Sequence, residues 1–303
     1  MQTTTLGRTG VNVSIAGLGC GGPSRLGLRE GYGNTEDDAV RVVRHAIDKG
    51  VTLIDTARAY GTEPVVGRAI RESGRRDELF ITSKFRVGDH TPEHFAEAID
   101  TSLAELGVDM IDAYHVHGVS RDELPRVMDQ IVPVLRDVQA AGKIRFLAIS
   151  ELFQAEPSHA MARDLYAEPE WAEVFDILMV GFNLLNPSAR RYVLPHTRRL
   201  NIGTLCMFAV RRALTDPTKR AEVLDRIDMA ADVLDFLGDG PAITDAGYRF
   251  ARHEPGIDVT LFGTGNTAHL DANLASINAD PLDDGVLQAL EARFGKCESV
   301  SGN

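Results

Sequence analysis

Short apolar runs alternate with longer amphipathic segments over almost the whole chain, and this alternation restricts the folds open to it. The apolar runs occupy residues 15–20, 51–55, 79–84, 110–117, 145–150, 177–183, 203–208 and 259–263. Each is short and rich in branched or aromatic residues, as a strand covered on both faces must be. Helical patterns fill 35–49, 64–73, 92–106, 121–141, 156–166 and 187–200. Thr35 followed by Glu36, Asp37 and Asp38, and Thr91 followed by Pro92, read as helix starts; a capping hydroxyl precedes acids or a proline in the first turn. Gly50, Gly107 and Gly142 stand where C-terminal caps belong. Early strand ends at Asp55, Lys84, His117 and Ser150 recur about every 30 residues, and with eight strand candidates this rhythm predicts an α/β fold, a (β/α)8 TIM barrel. A doubly wound open sheet would carry G-x-G-x-x-G after its first strand, and Leu18-Gly19-Cys20-Gly21-Gly22 lacks that spacing.

A barrel of this type needs about 250 residues, so the chain reads as one domain, 1–303, with a surplus. Residues 1–14 have the pattern of an N-terminal β-hairpin turned at Arg8-Thr9-Gly10, placed to close the barrel floor. Extra C-terminal helices are expected: a helical pattern in 213–241 before the helix 242–252, and another after Pro281, followed by a loose tail at 298–303.

Composition narrows the partners. A formal charge of −12 argues against a nucleic-acid backbone or an anionic membrane. No apolar stretch approaches the roughly 20 residues of a membrane helix, and the first residues lack a signal-peptide core. The three cysteines, Cys20, Cys206 and Cys297, are odd in number and widely spaced; a disulfide framework is not expected, and a reducing cytoplasm is. Oligomeric state is written in none of these patterns.

In such a barrel the chemistry gathers at the C-terminal ends of the strands. Asp55, Lys84 and His117 close three consecutive strand candidates, and Tyr60 lies five residues beyond Asp55 in the following loop. Burying Asp, Lys and His there is costly unless they pair. Together they suit hydride transfer to a carbonyl. A tyrosine, with a pKa of about 10, is a poor acid at neutral pH until a nearby ammonium favours its ionised form. The aspartate then holds the lysine, and the histidine directs the carbonyl oxygen. In the reverse direction the tyrosine is the base for alcohol oxidation.

With these residues in place, the sequence resembles the aldo-keto reductase family from Leu6 to about Asn273. Gly50-Val51-Thr52-Leu53-Ile54-Asp55-Thr56-Ala57-Arg58-Ala59-Tyr60-Gly61-Thr62-Glu63, with Gly67 beyond, looks like its G-x-x-x-x-D-T-A-x-x-Y-G-x-x-E-x-x-x-G motif. Thr82-Ser83-Lys84 resembles its lysine motif, and the run Asp109 to His117 its histidine strand. The resemblance implies NAD or NADP as cofactor, no metal, and a small carbonyl or alcohol substrate: an aldehyde, ketone or sugar. It also implies where the cofactor lies. Family members often place Ser-Asn after the fifth barrel strand and Gln on the sixth; here the positions hold Ser150-Glu151 and Met179. After the seventh strand, Met207 or Phe208 would pack on the nicotinamide, and Arg211 or Arg212 would reach a pyrophosphate. Gly263, Thr264, Gly265 and Asn266 lead into a helix N-terminus suited to phosphate, with His269 and Asn273 beyond. No Lys or Arg occurs from Val259 to Asn273, which leans towards NAD. These departures are reminiscent of the branch containing L-galactose, L-fucose and D-threo-aldose dehydrogenases. Substrate-facing candidates are Arg25, Tyr32, Phe85 and His115; His115 is either barrel filling or a second polar group in the pocket. Two rival readings stand beside the oxidoreductase. One is a nucleotide-sensing or regulatory binding protein, which the intact tetrad disfavours. The other is an imine-forming lyase or isomerase at Lys84, which Asp55 and Tyr60 at their family spacing disfavour.

Overall fold

The computed structural model describes residues 1–303. Its centre is a closed barrel of eight parallel strands: β3 (Ala16–Gly19), β4 (Leu53–Asp55), β5 (Phe80–Arg86), β6 (Ile111–Val119), β7 (Ile144–Glu151), β8 (Ile177–Gly181), β9 (Gly203–Met207) and β10 (Val259–Phe262). They follow one another in sequence order, and β10 pairs with β3 to close the ring, as the alternation predicts.

Period-two alternation settles what points inward. Leu53, Phe80, Ala113, Ala148, Ile177, Leu205 and Val259, one per strand, form an interior layer near the floor. Gly17 is the eighth member, because a Cβ there would come within 2.8 Å of both Leu261 and Leu53. Two residues further along each strand, the same face carries Asp55, Thr82, His115, Ser150, Met179 and Met207. The opposite faces, with Leu18, Ile54, Ile81, Tyr114, Leu147 and Val180, pack on the surrounding helices in a separate core.

The floor is closed by the hairpin of β1 (Thr3–Thr5) and β2 (Asn12–Ser14), antiparallel with Thr3 opposite Ser14. Leu6 and Val13 are buried against the interior layer. Leu6 needs the glycine at 203, since a Cβ there would lie 2.8 Å from its Cγ. Burying such a side chain contributes about 2 kcal/mol.

The helices Glu36–Asp48 and Pro92–Leu106 begin with the capping boxes of Thr35 and Thr91. The helical pattern 121–141 is less regular than its spacing suggests. It forms Leu124–Arg126, a π turn at Val127–Ile131, and Val132–Ala140. Pro133 explains this: it lacks an N–H and its ring would strike the carbonyl four residues earlier, so the coil widens and Val132 N donates to Val127 O. The pattern 187–200 likewise divides at Val193, just before Pro195, into Ala189–Tyr192 and Leu194–Leu200. The predicted helix 156–166 starts later, at Ala160, because His159 takes a left-handed conformation (φ 61°). The surplus holds Arg212–Thr215, Pro217–Asp225, Gly240–Arg252 and Asp284–Phe294.

The tail is not loose, contrary to its sequence pattern. Asn186 donates to Val300 O at 2.8 Å, Asn183 to Ser301 O at 3.1 Å, and Ala213 N to Gly302 O at 3.0 Å. Val300, Ser301 and Gly302 are buried. No helix is long and apolar enough to cross a membrane, and no group of three or more His, Cys, Asp or Glu could hold a metal ion.

Candidate active site

Neighbouring strand ends bring the four ionisable residues together. Asp55 ends β4 opposite Thr82 on β5, and Thr82 Oγ1 donates to Asp55 Oδ1 at 2.6 Å. Two residues along, Lys84 reaches back to the same oxygen at 2.6 Å and to Thr56 O at 2.7 Å, with its side chain fully buried. Burial opposes the ammonium, but the Asp55 carboxylate, then Tyr60, then the Asp55 hydrogen bond outweigh it, and the lysine pKa stands above its ordinary value. The Asp55 pair thus favours the charged form of Lys84.

Tyr60 arrives from the short helical turn Arg58–Tyr60 that follows β4. Its ring centroid is 5.0 Å from Lys84 Nζ, and its hydroxyl is 3.4 Å from His117 Nε2, at the outer edge of hydrogen-bonding range. The two rings meet edge to face. His117 sits where the β6–β7 register shifts between Val116 and Val119, an irregularity that re-aims a strand-end side chain. Burial first, then the Lys84 and Arg86 charges, push its pKa down to about 2. The imidazole facing the tyrosine is neutral.

Residues outside the tetrad hold this arrangement, and the sequence reading did not single them out as site residues. Glu63, fully buried, accepts from Ser83 Oγ at 2.5 Å and pairs with Arg58 at 2.6 Å, tying the turn that carries Tyr60 to β5. Gly21 seats the tyrosine ring; a Cβ there would lie 2.4 Å from Tyr60 Cε2. Only the glycine-rich run 18–22 hints at this.

At the ends of the remaining strands the candidates separate. Ser150 Oγ accepts from Gly118 N at 2.7 Å and keeps its own proton free to donate. Glu151 is committed to the protein: it is 2.9 Å from His159 Nδ1 and accepts from Gly181 N at 3.0 Å. Met179, register partner of Ser150, is buried with Ala148, Ile177 and Leu205 as barrel filling. Met207 and Phe208 are half-buried; Phe208 has φ 67°, meets Phe153 edge-on, and lies under the Arg211 guanidinium. Arg212 is exposed at the start of its own helix. Gly263 is exposed, Thr264 buried, and Gly265 packs so tightly on Gly27 that a Cβ would come within 2.6 Å of its backbone. Asn266 caps the helix Thr267–Asn278 by accepting from Ala268 N and His269 N. His269 and Asn273 stand one turn apart on that helix.

The four substrate-facing candidates stand in different environments. Phe85 turns away from the tetrad, because Lys84 beside it on the strand takes the inward face; its ring packs on His90 at 4.6 Å and Phe95 at 5.1 Å. His115 is wholly buried, opposite Lys84, with neither ring nitrogen hydrogen-bonded. Arg25 and Tyr32 are exposed on the loop before the first long helix.

The model of the aldo/keto reductase family matches residues 20–293. Aldo-keto reductase YhdN of Bacillus subtilis (strain 168) is 27% identical over 306 aligned residues, covering 90% of this chain and 87% of its own. L-galactose dehydrogenase of Arabidopsis thaliana is 26% identical, covering 91% and 88%. Among solved structures, the holo form of aldo-keto reductase AKR11C1 from Bacillus halodurans superposes with a TM-score of 0.77 at 20% identity, covering 99% of this chain and 98% of its own. An aldo/keto reductase from Klebsiella pneumoniae in complex with NADP and acetate gives 0.73 at 21% identity, with the same coverage.

Proposed function

The chain belongs to the aldo/keto reductase family, and from that premise we propose that it transfers a hydride between a nicotinamide dinucleotide and a small carbonyl or alcohol, with Tyr60 as the general acid or base. One observation carries the proposal: a buried, paired ammonium lies 5.0 Å from the Tyr60 ring while a neutral imidazole faces its hydroxyl. In reduction, Tyr60 gives its proton to the carbonyl oxygen. The Lys84 cation stabilises the negative charge this leaves on the phenol oxygen, and Asp55 keeps the cation in place. The neutral His117 orients the oxygen by hydrogen bonding. In oxidation the proton moves the other way.

The dinucleotide supplies or accepts the hydride when bound, and the residues present fit one. Ser150 has a free hydroxyl proton for the carboxamide. The Gly263–Asn266 loop runs into a helix N-terminus suited to phosphate, with His269 and Asn273 on the same helix. Met207 and Phe208 offer an apolar surface, and Arg212 an exposed cation. Glu151 is engaged by His159 and Gly181, and Met179 stands level with Ser150 on the inner face of the barrel. The absence of Lys and Arg from Val259 to Asn273 favours NAD; the Klebsiella protein holds NADP, which lends that preference no support. The substrate class is an aldehyde, ketone or sugar, and the similarity to L-galactose dehydrogenase makes sugars the first panel to try. Three free cysteines fit a reducing compartment such as the cytoplasm.

The test is titration with NADH and NADPH, followed by a carbonyl panel read as loss of reduced nicotinamide. Binding of neither nucleotide sinks the proposal. Where turnover is found, Tyr60→Phe is expected to lower it by about 100-fold or more with nucleotide affinity largely kept; unchanged turnover refutes the assigned acid.

A further inference from the structure

The loop after β9 holds a cation without a counter-charge. Arg211 Cζ stands 3.8 Å from the centroid of the Phe208 ring. Its Nε is enclosed and has no hydrogen-bond partner. The ionisable groups that bear on it are Tyr60, Arg212 and Tyr248, none of them a carboxylate. Burial pulls its pKa down, yet a guanidinium remains protonated in proteins. An uncompensated, largely buried charge is costly, and an anion is what relieves it.

Its surroundings place it beside the glycine run on which the Tyr60 ring is seated. The Tyr60 ring occupies the space a side chain at Gly21 would fill, and Arg211 Nη1 lies 3.6 Å from where a Cβ of Gly22 would be. The acid and the guanidinium therefore flank two consecutive glycines. The position is also built. The Phe208 ring supports the guanidinium plane from a left-handed backbone (φ 67°), a conformation unfavourable for a bulky residue. Behind the side chain, Gly302 of the seated tail approaches Arg211 Cβ, a Cβ on that glycine falling 3.6 Å from it. The tail is fixed there by Ala213 N and Asn183.

We propose that Arg211 is the receptor for an anionic group on the substrate, a carboxylate held by the planar guanidinium, so that this protein prefers oxo acids or acidic sugars to neutral carbonyl compounds. The inference rests on the proposed oxidoreductase reading only for which carbon reacts. The same guanidinium could instead meet the pyrophosphate of the nucleotide, the role expected from sequence. Both are anionic oxygen groups, and the experiment separates them.

The full chain, with and without NADPH, is titrated calorimetrically with benzoate and with neutral benzamide, and its reduction of 4-carboxybenzaldehyde is compared with that of benzaldehyde. Benzoate is expected to bind about tenfold or more tightly than benzamide. Arg211→Met is expected to abolish this preference and raise KM for the carboxylated aldehyde selectively, while the Kd for NADPH changes by less than about threefold. Arg211→Lys, which keeps the charge without the fork, is expected to retain part of it. Equal binding of benzoate and benzamide by the unaltered protein overturns the inference. So does an Arg211→Met variant that loses NADPH affinity about tenfold with its benzoate preference intact, since the cation then serves the nucleotide. Reduction of both aldehydes with no preference refutes this inference alone; benzoate binding through Arg211 with no aldehyde reduced refutes the oxidoreductase reading alone.

Discussion

Lys84 Nζ and Asp55 Oδ1 are 2.6 Å apart at the ends of adjacent strands, with neither side chain more than 5% exposed. The pair is thus both a structural element and the electrostatic base of the site. Its two roles separate under mutation because a buried cation tolerates loss of its partner far less than loss of itself.

Asp55→Asn leaves the ammonium buried without a counter-charge and is expected to lower the unfolding free energy by about 3–5 kcal/mol. Adding Lys84→Met, similar in length and apolar, removes the orphaned charge and is expected to recover much of that loss, although turnover stays abolished. Denaturant unfolding of the two variants beside the parent decides the matter. A double variant no more stable than Asp55→Asn would show that the pair is not where the cost lies.

Gly21 makes a second, more local demand. A methyl group there collides with Cε2 of Tyr60 at 2.4 Å, so Gly21→Ala must move the ring away from His117 or displace the turn that carries it. Misplacing a reacting group by about 1 Å can cost about 100-fold in rate. Turnover is expected to fall by about that factor, with KM for a neutral aldehyde little changed. Steady-state kinetics checks this, and an unchanged kcat would mean that the ring has room to yield.

The fate of each expectation follows from the range of the interaction behind it. The eight strands and the positions of Asp55, Lys84 and His117 are legible because two-residue alternation and strand-end placement are local rules. The capping boxes at Thr35 and Thr91 are local too. The π turn is half legible: Pro133 is visible, but whether the chain breaks or widens there depends on packing around Val127 and Ile131, both buried. Glu151 looks like a vacant cofactor contact until His159 reaches it from an irregular left-handed turn, which no periodicity announces. The tail reads as loose because its few polar residues carry no pattern; its anchors, Asn183, Asn186 and Ala213, come from remote parts of the chain. Arg211 is visible as a basic residue, whereas its lack of a partner is a property of the folded mouth alone.

The two histidines of β6 make the protein sensitive to mild acid. His117 has its pKa pushed down to about 2, by burial and then by Lys84 and Arg86. His115 is held well below its ordinary value by burial, then by Lys84 and His117. In the unfolded chain both titrate near a pKa of about 6.5. Below that pH the unfolded state binds protons that the folded state refuses, so unfolding is favoured as acid is added. The stability these groups contribute is thus fully present above about pH 6.5 and falls progressively as the pH drops towards their folded values. The slope approaches about 1.4 kcal/mol per pH unit for each histidine. Lys84 has the opposite sign: its raised pKa contributes stability that is lost only as pH climbs through that value, far outside this window. His115→Leu, an apolar replacement at a wholly buried position, removes one of the two titrating groups. Unfolding free energies measured by denaturant from about pH 7.5 to about pH 5 are expected to fall about half as steeply from these groups in the variant as in the parent. Parallel curves for the two proteins would show that His115 takes up its proton in the folded barrel.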